Sequence, residues 1–379
     1  MQMSRKSVEK NISYDNIRKL FYVSMEFGID DAGQRVKRYK TYPTLAQARK
    51  GLRAHLAERA ANQWVVPKVT TLEEWLDCWM EQVIVPNRAQ TTVYGYQKII
   101  DNHIIPNLGK IRLQKLCALD IQRYYACMLN EVGLGANTVR RHHDLLSSAL
   151  RMAVKQDLLV RCPTDRVEPP RVVPREARFY SSDTLKRLYQ LVEGHWLELI
   201  VHLAGGLGLR REEICGLRWE SVDFLNRTVR IKEARTAAGA VIVNKETKNF
   251  SSLRTLHMPE DIQQLLWRER LRQQMNRAAL GELYHISDYV AVDGSGRPYS
   301  PNAVSLAFTR FIRRHQLPYI TLHGLRHTFA TVASAQGAPL FEIGKALGHS
   351  TPSTTGRIYT HLVDSTHAAT LNRVSDALR

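Results

Sequence analysis

Histidine, arginine and tyrosine recur in the last third of the chain at spacings that suit work on a phosphodiester. His323-Gly-Leu-Arg326-His327 opens a helical pattern, and the three-residue offset places His323 and Arg326 on one helix face. Histidine moves protons near neutral pH. Arginine offers a rigid fork that matches a phosphate's oxygens. Together they describe a site that holds a phosphodiester and handles its protons. His323 and His327 also stand four apart, a spacing that suits zinc. The Glu of an H-E-x-x-H site and a nearby third Cys or acidic ligand are missing from the sequence, so no metal is expected and a core or capping role fits His327 better.

Four further segments add to this set. Gly206-Leu-Gly-Leu-Arg210-Arg-Glu-Glu213 is a glycine-rich turn into a helix, where tight backbone and a helix start favour an anion beside Arg210. Glu213 can fix a neighbouring arginine's fork; read alone, Arg210 is equally a surface arginine in a turn. Lys248 lies between two strand-like segments, at a hairpin tip from which its ammonium could protonate a leaving alkoxide; without its context it is an exposed lysine. Leu347-Gly-His349 ends an apolar helical stripe with Pro339 at its start and Gly348 at its end, which would hold His349 rigidly. Ten residues on stands Tyr359, in Arg-Ile-Tyr359-Thr-His361. A phenol is a poor nucleophile at neutral pH, and cations gathered around a phosphate help by stabilising the phenolate and the transition state.

Composition narrows the partner. The 379 residues carry a formal net charge of +18, an excess that attracts polyanions. Nucleic acid comes first and an anionic membrane surface second; a merely soluble basic protein is the plainer alternative. The surplus is densest in residues 1–66, with 13 Lys/Arg against 6 Asp/Glu. Five scattered cysteines (Cys78, Cys117, Cys127, Cys162, Cys215) form no CxxC pair and read as reduced, packed thiols of a cytoplasmic protein. The N-terminus lacks a signal-peptide core. The most apolar stretch, Trp196 to Leu209, is broken by Glu198 and His202 and is too short to span a bilayer.

The elements that must position these residues fall into three parts. The length suits two or three domains, and the expected fold is multi-domain. Residues 1–63 read as a small three-stranded β-sheet plus helix. Its second main strand carries Arg35, Lys37, Arg38 and Lys40 beside aromatics, suited either to a DNA groove or to a solvated sheet face. After a linker at Trp64–Pro67, residues 69–162 read as all-α. Thr71-Leu-Glu-Glu74 is a capping box there. A second helix stops before Pro106, and Asn137 caps a fourth helix whose start gathers Arg140, Arg141, His142 and His143, either for phosphate contact or as a solvated face. Pro163 to Pro174 reads as an extended linker. Residues 175–379 read as a mainly α-helical α+β domain with a small antiparallel sheet, with no internal repeat anywhere in the chain.

In this order and spacing the motifs resemble the tyrosine recombinase family. The resemblance rests on Gly-Leu-Arg210 with Glu213, Lys248 before Ser-Ser-Leu-Arg-Thr-Leu, His323-x-x-Arg326-His327, Leu-Gly-His349 and Tyr359-Thr-His361, and covers about Phe179 to His361. The first two parts resemble, more loosely, the arm-binding and core-binding domains of integrases from temperate phages and conjugative transposons. The resemblance implies that Arg210 and Arg326 clamp a scissile phosphate, that His323 shuttles the nucleophile's proton, and that His349 bonds a phosphate oxygen. It implies that Lys248 protonates the leaving 5′-hydroxyl and that Tyr359 becomes a 3′-phosphotyrosine. It also implies action without metal or ATP, as a homo-tetramer on double-stranded core and arm sites, through a Holliday junction, with an excisionase and a host DNA-bending protein as partners. Two departures stand out. Pro352 replaces a common aliphatic residue, and Asn249 follows Lys248 where Thr is frequent, which leaves Lys245 as a rival. The apolar set Ala368, Leu371, Val374 and Leu378 suits docking of the C-terminal segment on a neighbouring protomer or packing on its own domain. A type IB topoisomerase or a non-catalytic DNA-binding regulator on the same scaffold are the competing readings; a metal-dependent nuclease would need clustered carboxylates, which the sequence lacks.

Overall fold

The computed structural model describes residues 5–29, 35–60, 70–173, 178–246 and 253–348, together with Ser375 and Leu378. The chain divides into two compact units, 1–174 and 175–379.

The first unit opens with a meander of four antiparallel strands: β1 (Arg5–Glu9), β2 (Ile12–Asp15), β3 (Leu20–Ile29) and β4 (Arg35–Tyr42), in the order β1-β2-β3-β4. The sequence predicts three strands. The fourth, β1, has no apolar alternation to announce it, because it is an exposed edge whose register is set by pairing Arg5 with Asp15 and Ser7 with Ser13. Helix α1 (Leu45–Ala60) covers one face, with its Ala48 packed in one cluster with Ile12, Val23 and Met25.

The helical part of the unit starts at α2 (Leu72–Trp79). Its capping box is formed: Thr71 Oγ1 accepts from the Glu74 amide at 3.2 Å, and the Glu74 carboxylate accepts from the Thr71 amide at 2.8 Å. Leu72, Trp75, Leu76 and Trp79 are buried along one stripe, in one core with Val139, Leu145, Leu146 and Leu150. The helix does not end at Trp79. It widens into a π-helical turn, Met80–Ile84, and closes with Val85–Asn87. The next helix, α3 (Gln90–Ile99), does the same, through Ile100–Ile104 into Ile105–Leu108. The sequence predicts a stop before Pro106; the structure carries the helix through it. In each case the wide turn comes just before a proline (Pro86, Pro106), with the Val85 and Ile105 amides reaching back five residues to Met80 and Ile100. That shift of register absorbs both the missing N–H and the ring clash that would break a regular α-helix.

Two more helices complete this part, α4 (Ala118–Asn130) and α5 (Ala136–Lys155). Gly135, not Asn137, caps α5. The Asn137 amide instead clasps the backbone of Val173, donating to its carbonyl and accepting from its N–H, both at 3.1 Å. Gln122 holds Glu168 in the same two-way manner, Arg151 pairs with Asp165, and Cys162 and Thr164 are buried. The segment expected to be an extended linker is therefore, as far as Val173, a strap fastened to the helices. The side chains of Gln122 on α4 and Asn137 on α5 thus satisfy backbone groups of Glu168 and Val173 that no strand or helix pairs.

The second unit is mainly helical: α6 (Ser182–Val192), α7 (Glu198–Gly206), α8 (Arg211–Gly216), α9 (Glu260–Leu280), α10 (Pro301–Arg314), α11 (Leu322–Ala335) and α12 (Leu340–Leu347). Between α8 and α9 lie β5 (Val222–Asp223), β6 (Thr228–Ile231), β7 (Glu233–Ala238), β8 (Val241–Glu246) and β9 (Arg254–His257). They form a three-stranded sheet, β5-β6-β9, and a separate hairpin, β7-β8, all antiparallel. One core runs from Leu188 and Leu203 through Val229 and Leu266 to Phe308 and Leu325. Among the described residues no helix is long and apolar enough to cross a membrane.

Candidate active site and nucleic-acid surfaces

Glu213 organises the site. It lies in the first turn of α8, only 3% exposed, and its carboxylate accepts four hydrogen bonds. Oε1 takes Arg210 Nη1 at 2.8 Å and Arg254 Nη1 at 3.0 Å; Oε2 takes the Arg210 amide and Arg254 Nη2, each at 2.8 Å. Burial alone would raise its pKa. The hydrogen bonds and charge of Arg254, then those of Arg210, pull it down instead to about 2. Arg210 is thus held at both its backbone and its fork, while its side chain stays about a third exposed and able to meet a ligand.

Arg326 is set differently. It stands in α11, 2% exposed, one turn behind the helix cap made by Thr321 Oγ1 and the Gly324 amide. Its Nη1 donates to the Gly208 carbonyl at 2.8 Å and its Nη2 to the Leu347 carbonyl at 2.5 Å. Gly208 has φ +65°, and a Cβ there would lie 2.7 Å from Leu347 and 2.8 Å from Phe329. This is the tight backbone approach that the Gly-Leu-Gly sequence promises.

Three arginines converge on the end of α12. Arg254 Nε donates to the Ala346 carbonyl at 2.7 Å, Arg326 to Leu347, and Arg210 Nη2 to Gly348 at 3.3 Å. Gly348 ends the helix in the left-handed region. The last carbonyls of a helix have no partner within it and carry its negative dipole end, so cations are welcome there. Arg210 and Arg326 share this anchor, which brings the two guanidinium groups to one place.

His323 stands in the first turn of α11 with its ring 4.8 Å from that of His327, edge to face. Crowding of the ring by protein, then Arg326, then Arg210 lower the His323 pKa. Burial, then His323 and Arg326, push His327 down to about 4. Both rings are neutral at neutral pH, the form that accepts a proton. Lys248, His349 and Tyr359, and the segment with Ala368, Leu371 and Val374, lie outside the described residues. Lys245 is in β8, its backbone opposite Ala234. Among the described residues no group of three His, Cys, Asp or Glu could hold a metal ion.

Arg254 is the residue that sequence reasoning misses as part of the site. The signal was present: in β9 it alternates with Leu256 on the inward side. A charge at such a position requires a partner.

The surfaces expected to meet nucleic acid divide on inspection. On the N-terminal sheet, Lys37 and Tyr39 lie on the face not covered by α1, with Arg5, whose guanidinium sits 3.8 Å over the Tyr22 ring. Arg38 and Lys40 alternate to the α1 side of the edge strand, opposite Met25 and Val23. The side chain of Arg35 is outside the described residues. On α5, His142 is fully buried, its Nδ1 2.8 Å from Tyr124 Oη, and burial lowers its pKa to about 4. His143 turns to Tyr125 Oη at 2.9 Å. His142 is thus turned inward, away from the expected basic helix start, whereas half-buried His143 also lines a surface hollow with Arg140 and Arg151. The solvent side of α5 presents a shallow hollow lined by Arg140, Asp144, Ser148, Arg151 and Lys155, with Arg141 exposed nearby. Cys117, expected to be packed, is exposed at the start of α4.

Comparison with known proteins gives the family and the fold. Residues 178–366 match the model of the phage integrase family, and residues 71–129 match the N-terminal SAM-like domain of phage integrases. The chain is 24% identical over 385 residues to the "Tyrosine recombinase XerC-like" protein of Caldanaerobacter subterraneus, covering 95% of this chain and 97% of that one. It is 24% identical to the ICEBs1 integrase of Bacillus subtilis, covering 94% and 97%. In fold it is similar to the Tn1549 transposon integrase in complex with a circular intermediate DNA (TM-score 0.67, 20% identity, 80% of this chain and 99% of that one). It is also similar to the lambda integrase tetramer bound to a Holliday junction (TM-score 0.59, 17% identity, 93% and 96%).

Proposed function

We propose, from the premise that this chain belongs to the phage integrase family and is a tyrosine-type site-specific DNA recombinase, that it integrates and excises a mobile element by cutting DNA through a covalent 3′-phosphotyrosine at Tyr359. The observation that carries the reading is the placement of Arg210 and Arg326 on the two last carbonyls of one helix, Gly348 and Leu347, beside a neutral His323. Two forks so placed can share one phosphate and balance the charge that grows on its oxygens during attack. His323 takes the phenol proton of Tyr359. His349, which directly follows the anchored Gly348, bonds a phosphate oxygen. Lys248, or Lys245 in its place, protonates the 5′-hydroxyl as it leaves. Glu213 and His327 support the cluster without touching the reacting atoms.

The phosphotyrosine conserves the energy of the broken ester, so the reaction needs neither metal nor ATP. A 5′-hydroxyl of the partner duplex reverses the link and completes one exchange; two rounds pass through a Holliday junction. A homo-tetramer on two core sites supplies four such centres, and the C-terminal segment docks between protomers. Residues 1–63 would bind arm sites, 69–162 core sites, and 175–379 would do the chemistry. Two DNA-binding parts on one chain act bivalently, which favours bent DNA, a host bending protein and an excisionase as partners. Such work belongs in the bacterial cytoplasm, at the nucleoid.

The test is a nicked suicide duplex with a verified cognate core site, incubated in EDTA without ATP. Wild type should give a denaturation-resistant protein–DNA adduct and Tyr359→Phe none. Strand exchange between two duplexes then separates a recombinase from a topoisomerase. Binding without any adduct from the wild type would overturn the role given to Tyr359.

A further inference from the structure

The cluster holds a third arginine that the reaction as described does not use. Arg254 is 6% exposed along its side chain, and its bonds run to Glu213 and Ala346. Each of its three guanidinium nitrogens donates a bond inside the protein. Nη1 and Nη2 take the two oxygens of Glu213 at 3.0 and 2.8 Å, and Nε takes the Ala346 carbonyl at 2.7 Å. Glu213 in turn holds Arg210 by its fork and by its amide. Arg254 therefore joins two structures that must agree in position: the start of α8, which carries Arg210, and the end of α12, which leads to His349. It does so from a strand of the β5-β6-β9 sheet, a third element with its own packing in the core.

We propose that Arg254 is a positioning residue for cleavage, which sets Arg210 through Glu213 and sets the end of α12 through Ala346 before DNA arrives. The inference rests on the recombinase reading above. Arginine is required because one planar fork spans a carboxylate and a carbonyl at once; a lysine ammonium is a point charge and serves only one of them well. Removing the fork leaves Glu213 with two of its four donors and frees the Ala346 carbonyl. Arg210 then samples geometries in which it no longer opposes the charge on the phosphate. Small displacements of such donors are costly in rate, since a preorganised donor is typically worth about 10²-fold or more.

The experiment uses the full chain on the nicked suicide duplex, with protein in saturating excess, and follows adduct formation to completion. Arg254→Met and Arg254→Lys are compared with wild type. A positioning role slows the rate constant by ~30-fold or more for Arg254→Met, and by less for Arg254→Lys, with the final adduct amplitude and the DNA affinity close to wild type. A merely structural role lowers the amplitude, because fewer molecules are folded, and leaves the rate constant of the remainder unchanged; that result overturns the proposal. So does a wild-type rate constant in Arg254→Lys, and that variant decides the matter if Arg254→Met does not fold. The two readings fail differently: no adduct from wild type on its verified site overturns the recombinase mechanism, whereas normal rates in both variants beside a reactive wild type overturn only the role of Arg254.

Discussion

At the scale of single residues the site is governed by one buried carboxylate and two uncharged imidazoles. Glu213 is charged because four donors reach it, not because water does. Its folded pKa, about 2, lies below the ordinary 4.5. A group with a depressed folded pKa stabilises the fold fully above its unfolded pKa and loses that contribution as pH falls toward the folded one. The window here is therefore pH 4.5 down to about 2, and the contribution is about 3 kcal/mol. Glu213→Gln keeps the size but removes the charge that two arginines face. We expect it to lower the melting temperature at neutral pH, with the gap from wild type closing as pH falls through that window. Scanning calorimetry at several pH values measures this; a gap that does not change with pH would mean that packing, not charge, holds Glu213. His323 titrates the other way in function. With its pKa lowered by crowding and by Arg326 and Arg210, it stays neutral at physiological pH and is ready to accept a proton.

At the scale of elements the critical joint is the turn from α7 to α8 against α11 and α12. Gly208 supplies a left-handed residue and the carbonyl that Arg326 needs, with Leu347 and Phe329 packed where a side chain would go. Gly208→Ala meets both penalties, strained backbone and a clash with two core side chains. We expect a loss of about 2–4 kcal/mol and strongly reduced cleavage. Gly194 is the control: it has φ +70° but nothing within 4 Å of its Cβ position, so Gly194→Ala should lose only about 1 kcal/mol. Equal losses in the two variants would remove the case for a packed joint. This joint was partly legible in the sequence, because Gly-Leu-Gly-Leu-Arg210 and His323-x-x-Arg326 declare a tight turn and a helix face. Periodicity likewise reveals helices such as α2, α5 and α10, each of which buries an apolar stripe. What stays hidden depends on partners distant in sequence. Arg254 meets Glu213 forty-one residues away and Ala346 ninety-two away. His142 looks like one of four basic residues until α4 supplies Tyr124. The passage of two helices through Pro86 and Pro106 depends on a change of hydrogen-bond register that no residue type announces.

At the scale of the whole molecule the governing quantity is charge. A net +18 draws the chain to DNA by releasing counterions, a term that depends on salt and not on base sequence. The open face of the N-terminal sheet carries Arg5, Lys37 and Tyr39, and Arg5 is braced over the Tyr22 ring, so its charge is held outward at low entropic cost. Lys37 also reaches Glu26 at 3.3 Å, a pairing between exposed groups that phosphate can displace. If this face binds arm DNA, each of the two cations should contribute about one phosphate contact. Arg5→Gln and Lys37→Gln should then each reduce the slope of log affinity against log salt by about 0.9, on a duplex bearing an arm site. On a duplex bearing only a core site the slope should not change, if the core contacts are made outside the sheet. Filter binding or fluorescence anisotropy between 50 and about 300 mM salt resolves such a change. An unchanged slope on arm DNA would place arm recognition elsewhere than on the open face. A reduced slope on both duplexes would show that the sheet contributes only general attraction, independent of the site.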